Sequence, residues 1–107
     1  MYYIDNDIEF LEGIRRVNYG FHFISRYQID YVNNKTEIQI SSNISRAVWE
    51  DNNFSSPFVN FYELDKVPLF AEDPVNFILR QLVSHEGTVF FGAEVKRDYN
   101  LTTIIRN

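Results

Sequence analysis

The chain contains no cysteine, which excludes disulfides, thiolate metal sites and cysteine nucleophiles and removes any need for an oxidising compartment. Only four glycines occur, and no Gly-x-Gly-x-x-Gly, P-loop or Gly-x-Ser-x-Gly pattern is present, so neither a phosphate-cradling loop nor a nucleophile elbow is expected. No apolar run approaches the ~20 residues of a membrane span. The opening Met-Tyr-Tyr-Ile-Asp-Asn-Asp lacks the basic and apolar regions of a secretory signal, so a cytoplasmic protein is expected. Four Asn-x-Ser/Thr matches, beginning at Asn34, Asn43, Asn53 and Asn100, are discounted on that ground. Basic residues are scattered, with Arg15-Arg16 and Lys96-Arg97 the only close pairs, so no basic stripe for nucleic acid can be drawn.

What is present points to one globular domain over residues 1–107. A chain with 45% hydrophobic and 17% aromatic residues is too apolar for disorder. The clearest local signal is a hairpin centred on Asn33-Asn34, because asparagine tolerates the positive φ of tight turns. With those two residues as the loop, Tyr31 faces Thr36, Ile29 faces Ile38, Tyr27 faces Ile40 and Phe23 faces Ile44, all on one apolar face. The other face pairs Arg26 with Ser41, Gln28 with Gln39 and Asp30 with Glu37. The odd-numbered alternation extends the first strand back to Tyr19, and Gly20 marks a bend or bulge within it.

A helix is predicted over about residues 74–86. Asp73 is a suitable N-cap, Pro74 suits the first helical position and Gly87 is placed to end the helix in a left-handed conformation. Val75, Ile78, Leu79, Leu82 and Val83 form one apolar stripe, opposite Asn76, Arg80, Gln81 and Ser84. Thr88 to Val95 and Leu101 to Ile105 read as a second hairpin, and Phe58 to Leu64 as a further strand. Asn52 to Pro57 and Asp65 to Pro74 read as loops. The opening has two readings: a short helix capped at Asn6 and ending at Gly13, or short strands at Tyr2–Ile4 and Ile14–Val17. The expected fold is α+β, a mostly antiparallel sheet of about five or six strands with one main amphipathic helix packed on it.

Acid-base chemistry falls to His22, placed on the polar face of its strand, and His85, placed in the last turn of the helix. Structural roles account for both, and an enzyme would require one of them to share a concave pocket with a carboxylate. Asp5-Asn6-Asp7 with Glu9 resembles a fragment of a calcium loop but lacks its glycine and closing glutamate. No catalytic residue, metal site or cofactor is therefore assigned.

The formal charge of −5 sits in one stretch. Residues 47–79 hold Glu50, Asp51, Glu63, Asp65, Glu72 and Asp73 against Lys66 alone, and the rest of the chain is balanced. Among those acids lie Trp49, Phe54, Phe58, Phe61, Tyr62, Phe70 and Phe77. Phe58, Phe61 and Phe77 are the ones most simply assigned to the core. Trp49, Tyr62 and Phe70, ringed by Glu50, Asp51, Glu63, Asp65, Glu72 and Asp73, form the candidate partner-binding set, since aromatic anchors give affinity and like charges speed encounter with an opposite partner. The expectation is a small acidic, non-enzymatic binding protein of bacterial type with a basic protein partner. An immunity protein or antitoxin that occludes the active site of a toxin such as a ribonuclease fits that description. The alternative is a phage-derived or bacterial structural protein that forms homo-oligomers through aromatic patches.

Overall fold

Apolar residues at the start of the chain build strands, and the helical reading of residues 6–13 is overturned. In the computed structural model, which describes residues 1–55 and 58–98, β1 (Tyr2–Glu12) turns at Gly13 into β2 (Arg15–Asp30). Gly13 sits at φ 64°, a left-handed conformation that L side chains resist. The chain continues through β3 (Lys35–Asn43), a short helix α1 (Arg46–Asp51), β4 (Phe58–Leu64), the helix α2 (Pro74–Ser84) and β5 (Val95–Arg97). The strands form one five-stranded sheet in the order β4-β3-β2-β1-β5, with every neighbouring pair antiparallel. The protein has an α+β fold with α2 as its main helix.

The β2–β3 hairpin is displaced from the expected register. Asp30 pairs with Lys35, Ile29 with Thr36 and Tyr27 with Ile38, so residues 31–34 form a four-residue turn. The Asp30 carboxylate sets its length by accepting from the backbone N–H groups of Val32 and Asn33 and from Asn33 Nδ2, while Asn34 takes φ 56°. A slip of two residues preserves the faces. It also replaces the unfavourable Asp30–Glu37 pairing by Asp30–Lys35.

A bulge at Ser25 then shifts the pairing to Ile24–Ile40 and Phe23–Ser41. One extra residue inverts the alternation. Phe21 and Phe23 therefore turn away from the face that carries Ile38 and Ile40, whereas His22 and Ile24 turn toward it. This corrects the placement of His22 on a polar face. A second bulge lies opposite Gly20, on β1 between Asp5 and Ile8. There the Gly20 N–H donates to the Ile44 carbonyl, and an added Cβ would lie 2.7 Å from an Asp7 oxygen and 3.0 Å from that carbonyl.

The two faces are covered unequally. On one, Ile4, Ile8, Ile38, Ile40 and Leu64 pack with Ile78, Leu79 and Leu82 of α2, as the helical stripe predicted. Asp73 accepts from the Val75 and Asn76 N–H groups, and Pro74 opens the helix. The far end differs from expectation: His85 caps α2, Gly87 is not left-handed, and His85 Nδ1 accepts the Gly87 N–H at 3.0 Å. Thr88 to Val95 is not a strand up to Glu94. Thr88 Oγ1 donates to the Leu82 carbonyl, and Gly92, at φ 83°, donates its N–H to Val83, so the chain folds under α2 and drives Phe90 into the core. The proposed return strand at Leu101 to Ile105 lies outside the described residues. On the second face, Phe21 packs with Trp49 of α1, joined by Met1, Tyr3 and Phe23.

Candidate functional site

The acidic, aromatic stretch is divided between two ends of the sheet. α1 follows the C-terminal end of β3, while the β2–β3 turn and the β4–α2 loop lie at its N-terminal end. The nine residues of β3 separate them by roughly 30 Å. The two groups of candidate residues therefore lie at opposite ends of the sheet.

At the α1 end, Ser45 caps the helix by accepting the Val48 N–H at 3.2 Å. Trp49 is only 4% exposed, with its ring centroid 5.0 Å from those of both Phe21 and Phe23. Its assignment as an exposed anchor is therefore corrected: the bulge at Ser25 turned two phenylalanines to this face, and Trp49 covers them. Phe54 folds back onto Trp49 with centroids 4.8 Å apart, held by the Phe54 N–H to Trp49 carbonyl bond and a φ of 65°. Glu50 lies 3.9 Å from Arg46 on the same helix, and Asp51 is exposed beside it. Arg46 also pairs with Asp98.

The other end exposes its apolar side chains. Phe70 is 90% exposed, Leu69 75% and Val32 92%, and Tyr31 is partly exposed with its ring centroid 4.9 Å from that of Phe70. Polar contacts stitch the two segments that carry them. Asn34 Nδ2 donates to the Asp65 carbonyl, Thr36 Oγ1 donates to the Lys66 carbonyl at 2.6 Å, and Lys35 Nζ reaches Asp65 at 2.7 Å and Glu63 at 3.3 Å. Glu72 closes the loop by accepting the Leu69 N–H, while its own N–H donates to the Leu69 carbonyl. Leu69 and Phe70 are thereby held at the apex. Lys35 holds the Asp65 carboxyl below the usual carboxylate range through hydrogen bonding and charge, and the same contacts raise Lys35.

Two expected members play other parts, and one residue assigned to the core is exposed. Asp73 caps α2. Tyr62 is half-buried, packs edge-on against Phe90, and has its hydroxyl pushed up by burial. Phe61, assigned to the core by sequence, is 75% exposed on the second sheet face. Conversely, Tyr31, Val32 and Leu69 belong to the apolar tip and were not singled out. The available signal was Val32 beside Asn33-Asn34, since an apolar residue inside a turn has no strand face to join.

Of the two histidines, His22 is sealed in the core. The Asn6 carbonyl can only accept, so Nε2 carries the proton at 3.0 Å and Nδ1 accepts from the Ser42 hydroxyl at 2.7 Å. Burial lowers its pKa, so the ring is neutral. Phe10 and Phe90 flank it. His85 borders a cleft of about 410 Å³ between α2 and the end of β4, which Glu63 and Asp65 also line. Both of those carboxylates are bound to Lys35. No group of three or more His, Asp or Glu placed to hold a metal ion occurs among the described residues.

The site is an apolar tip, tied together by side-chain hydrogen bonds, with an acidic flank on an α+β scaffold. No family model, curated protein or solved structure matches the chain.

Proposed function

We infer that the protein is a small acidic binding module whose β2–β3 turn and β4–α2 loop engage a basic protein partner. One observation carries this reading: Tyr31, Val32, Leu69 and Phe70 are exposed together on loops fixed by side-chain hydrogen bonds, with Glu63 and Asp65 alongside. Exposed aromatic and aliphatic side chains on a preorganised surface supply contact area at little ordering cost, and the flanking carboxylates attract cationic groups. Binding is preferred to catalysis because Lys35 holds both carboxylates that share the cleft with His85. Within this reading, an immunity protein or antitoxin that covers a cationic cleft is the finer proposal. It rests on the small size and the net charge of −5.

The test is capture of a partner on the immobilised protein at low salt and its release at high salt. Asp65→Lys combined with Phe70→Ala is expected to retain none of it. If that double variant retains as much partner as the wild type, the tip is not the binding surface. For the finer proposal, the released partner is assayed for nuclease activity with and without the wild-type protein. Undiminished activity at full occupancy contradicts an inhibitory role.

A further inference from the structure

We propose that two copies of the protein join edge to edge through β4, antiparallel about a two-fold axis beside Phe61, into one continuous sheet. The two sheet edges are unlike. On the far side, β5 is three residues long, carries Lys96 and Arg97 and covers only Tyr2–Ile4 of β1. The rest of that edge, residues 5–12, is broken by the bulge between Asp5 and Ile8 and carries Asp5, Asp7, Glu9 and Glu12, all features that blunt an edge against further pairing. β4 is seven residues long, contains no Lys, Arg or Pro, and pairs with β3 from Phe58 to Leu64 without a bulge. Alternate residues of β4 direct their N–H and C=O groups away from β3, and no strand lies beyond them among the described residues.

The sequence of β4 suits a second copy as the occupant. Antiparallel pairing centred on Phe61 sets Asn60 against Tyr62 of the second copy, Val59 against Glu63 and Phe58 against Leu64. The strand's single acid, Glu63, is thereby set against Val59 at each end and away from the central Phe61 pair. Phe61, 75% exposed at mid-strand on the sheet face that α1 leaves open, meets its own symmetry mate. A register displaced toward Tyr62 would instead oppose Phe61 to Glu63. An isologous contact of this kind closes at two copies. A strand pair covers less than the ~800 Å² per partner of a standard interface, so the association is reversible on dilution. It goes beyond the binding reading: the apolar tips remain free, one at each end of the paired strands.

Sedimentation velocity and light scattering on the wild-type protein decide the matter. The expected result is a mass that rises from one chain to two with concentration and is insensitive to salt. Phe61→Lys is expected to hold the mass at one chain throughout, with circular dichroism unchanged. Because the chain has no cysteine, Phe61→Cys offers a second test that survives any loss of affinity in the first. Mild oxidation should yield a disulfide-linked dimer, whereas Glu63→Cys should not, since its two thiols would lie about 14 Å apart along the strands. A single-chain mass for the wild type at every concentration would overturn the proposal. So would a dimer that persists in Phe61→Lys, or equal cross-linking at both positions. Salt-sensitive capture of a basic partner is a separate measurement, so either proposal can fail alone.

Discussion

Trp49 with Glu50 and Asp51, and Phe70 with Asp65 and Glu72, are alike in composition and opposite in fate. The first group lies where a β-bulge has turned Phe21 and Phe23 outward, and α1 folds over them with Trp49 as the plug. The second group lies at the other end of the sheet, where no described residue buries Phe70. An aromatic among acids is buried or displayed according to what the neighbouring strand presents, not according to its own flanks.

The largest expected effect is at Trp49. Trp49→Ala removes the centre of the second core and should cost about 3–5 kcal/mol of stability in urea unfolding, whereas Phe70→Ala should stay within about 0.5 kcal/mol. Equal costs would erase the distinction between the two ends. Gly20→Ala, which forces a Cβ against the Ile44 carbonyl just before α1, should cost about 1–3 kcal/mol. Ser42→Ala, which leaves the buried His22 Nδ1 without a donor, should cost about the same, 1–3 kcal/mol.

The two ends should also differ with pH. His22 has a folded pKa below its unfolded value of about 6.5, so the unfolded state binds the extra proton first. Its contribution is fully present above that value and is lost as pH falls below it, which should appear as a decline in the thermal midpoint under mildly acidic conditions. Replacing His22 with a neutral residue should flatten that decline. Asp65, lowered by Lys35, acts in the same direction only at more acidic pH, through the carboxylate range. Because it is exposed and screened, Asp65→Asn should leave the profile unchanged within error.

Much of this architecture was legible in the sequence. Asp73-Pro74 and the stripe through Ile78, Leu79 and Leu82 identify α2, and the strand-forming run from Phe58 to Leu64 gives β4 its bounds. The Asn33-Asn34 turn was located correctly, and its register was wrong by two because the Asp30 carboxylate builds a longer turn than two asparagines require. The inversion at Ser25 left no mark in the residue pattern, since Phe21 and Phe23 are apolar on either face. That one bulge misplaced His22 and hid the destination of Trp49. α1, six residues long, is too short for a periodic signal, and Ser45 was its only sign. Of the candidate site, Phe70, Glu63, Asp65 and Glu72 were found as neighbours in sequence. Tyr31 and Val32 are brought beside them by the side-chain bonds of Asn34, Lys35 and Thr36, and the Tyr31 ring meets Phe70 directly.

The most direct test sets the two ends against each other in one partner-capture experiment, comparing Asp65→Lys with Phe70→Ala at the tip and Glu50→Lys with Asp51→Lys on α1. The tip variant is predicted to lose the basic partner and the α1 variant to keep it at the wild-type salt dependence. Retention by the tip variant, or loss confined to the α1 variant, would contradict the account.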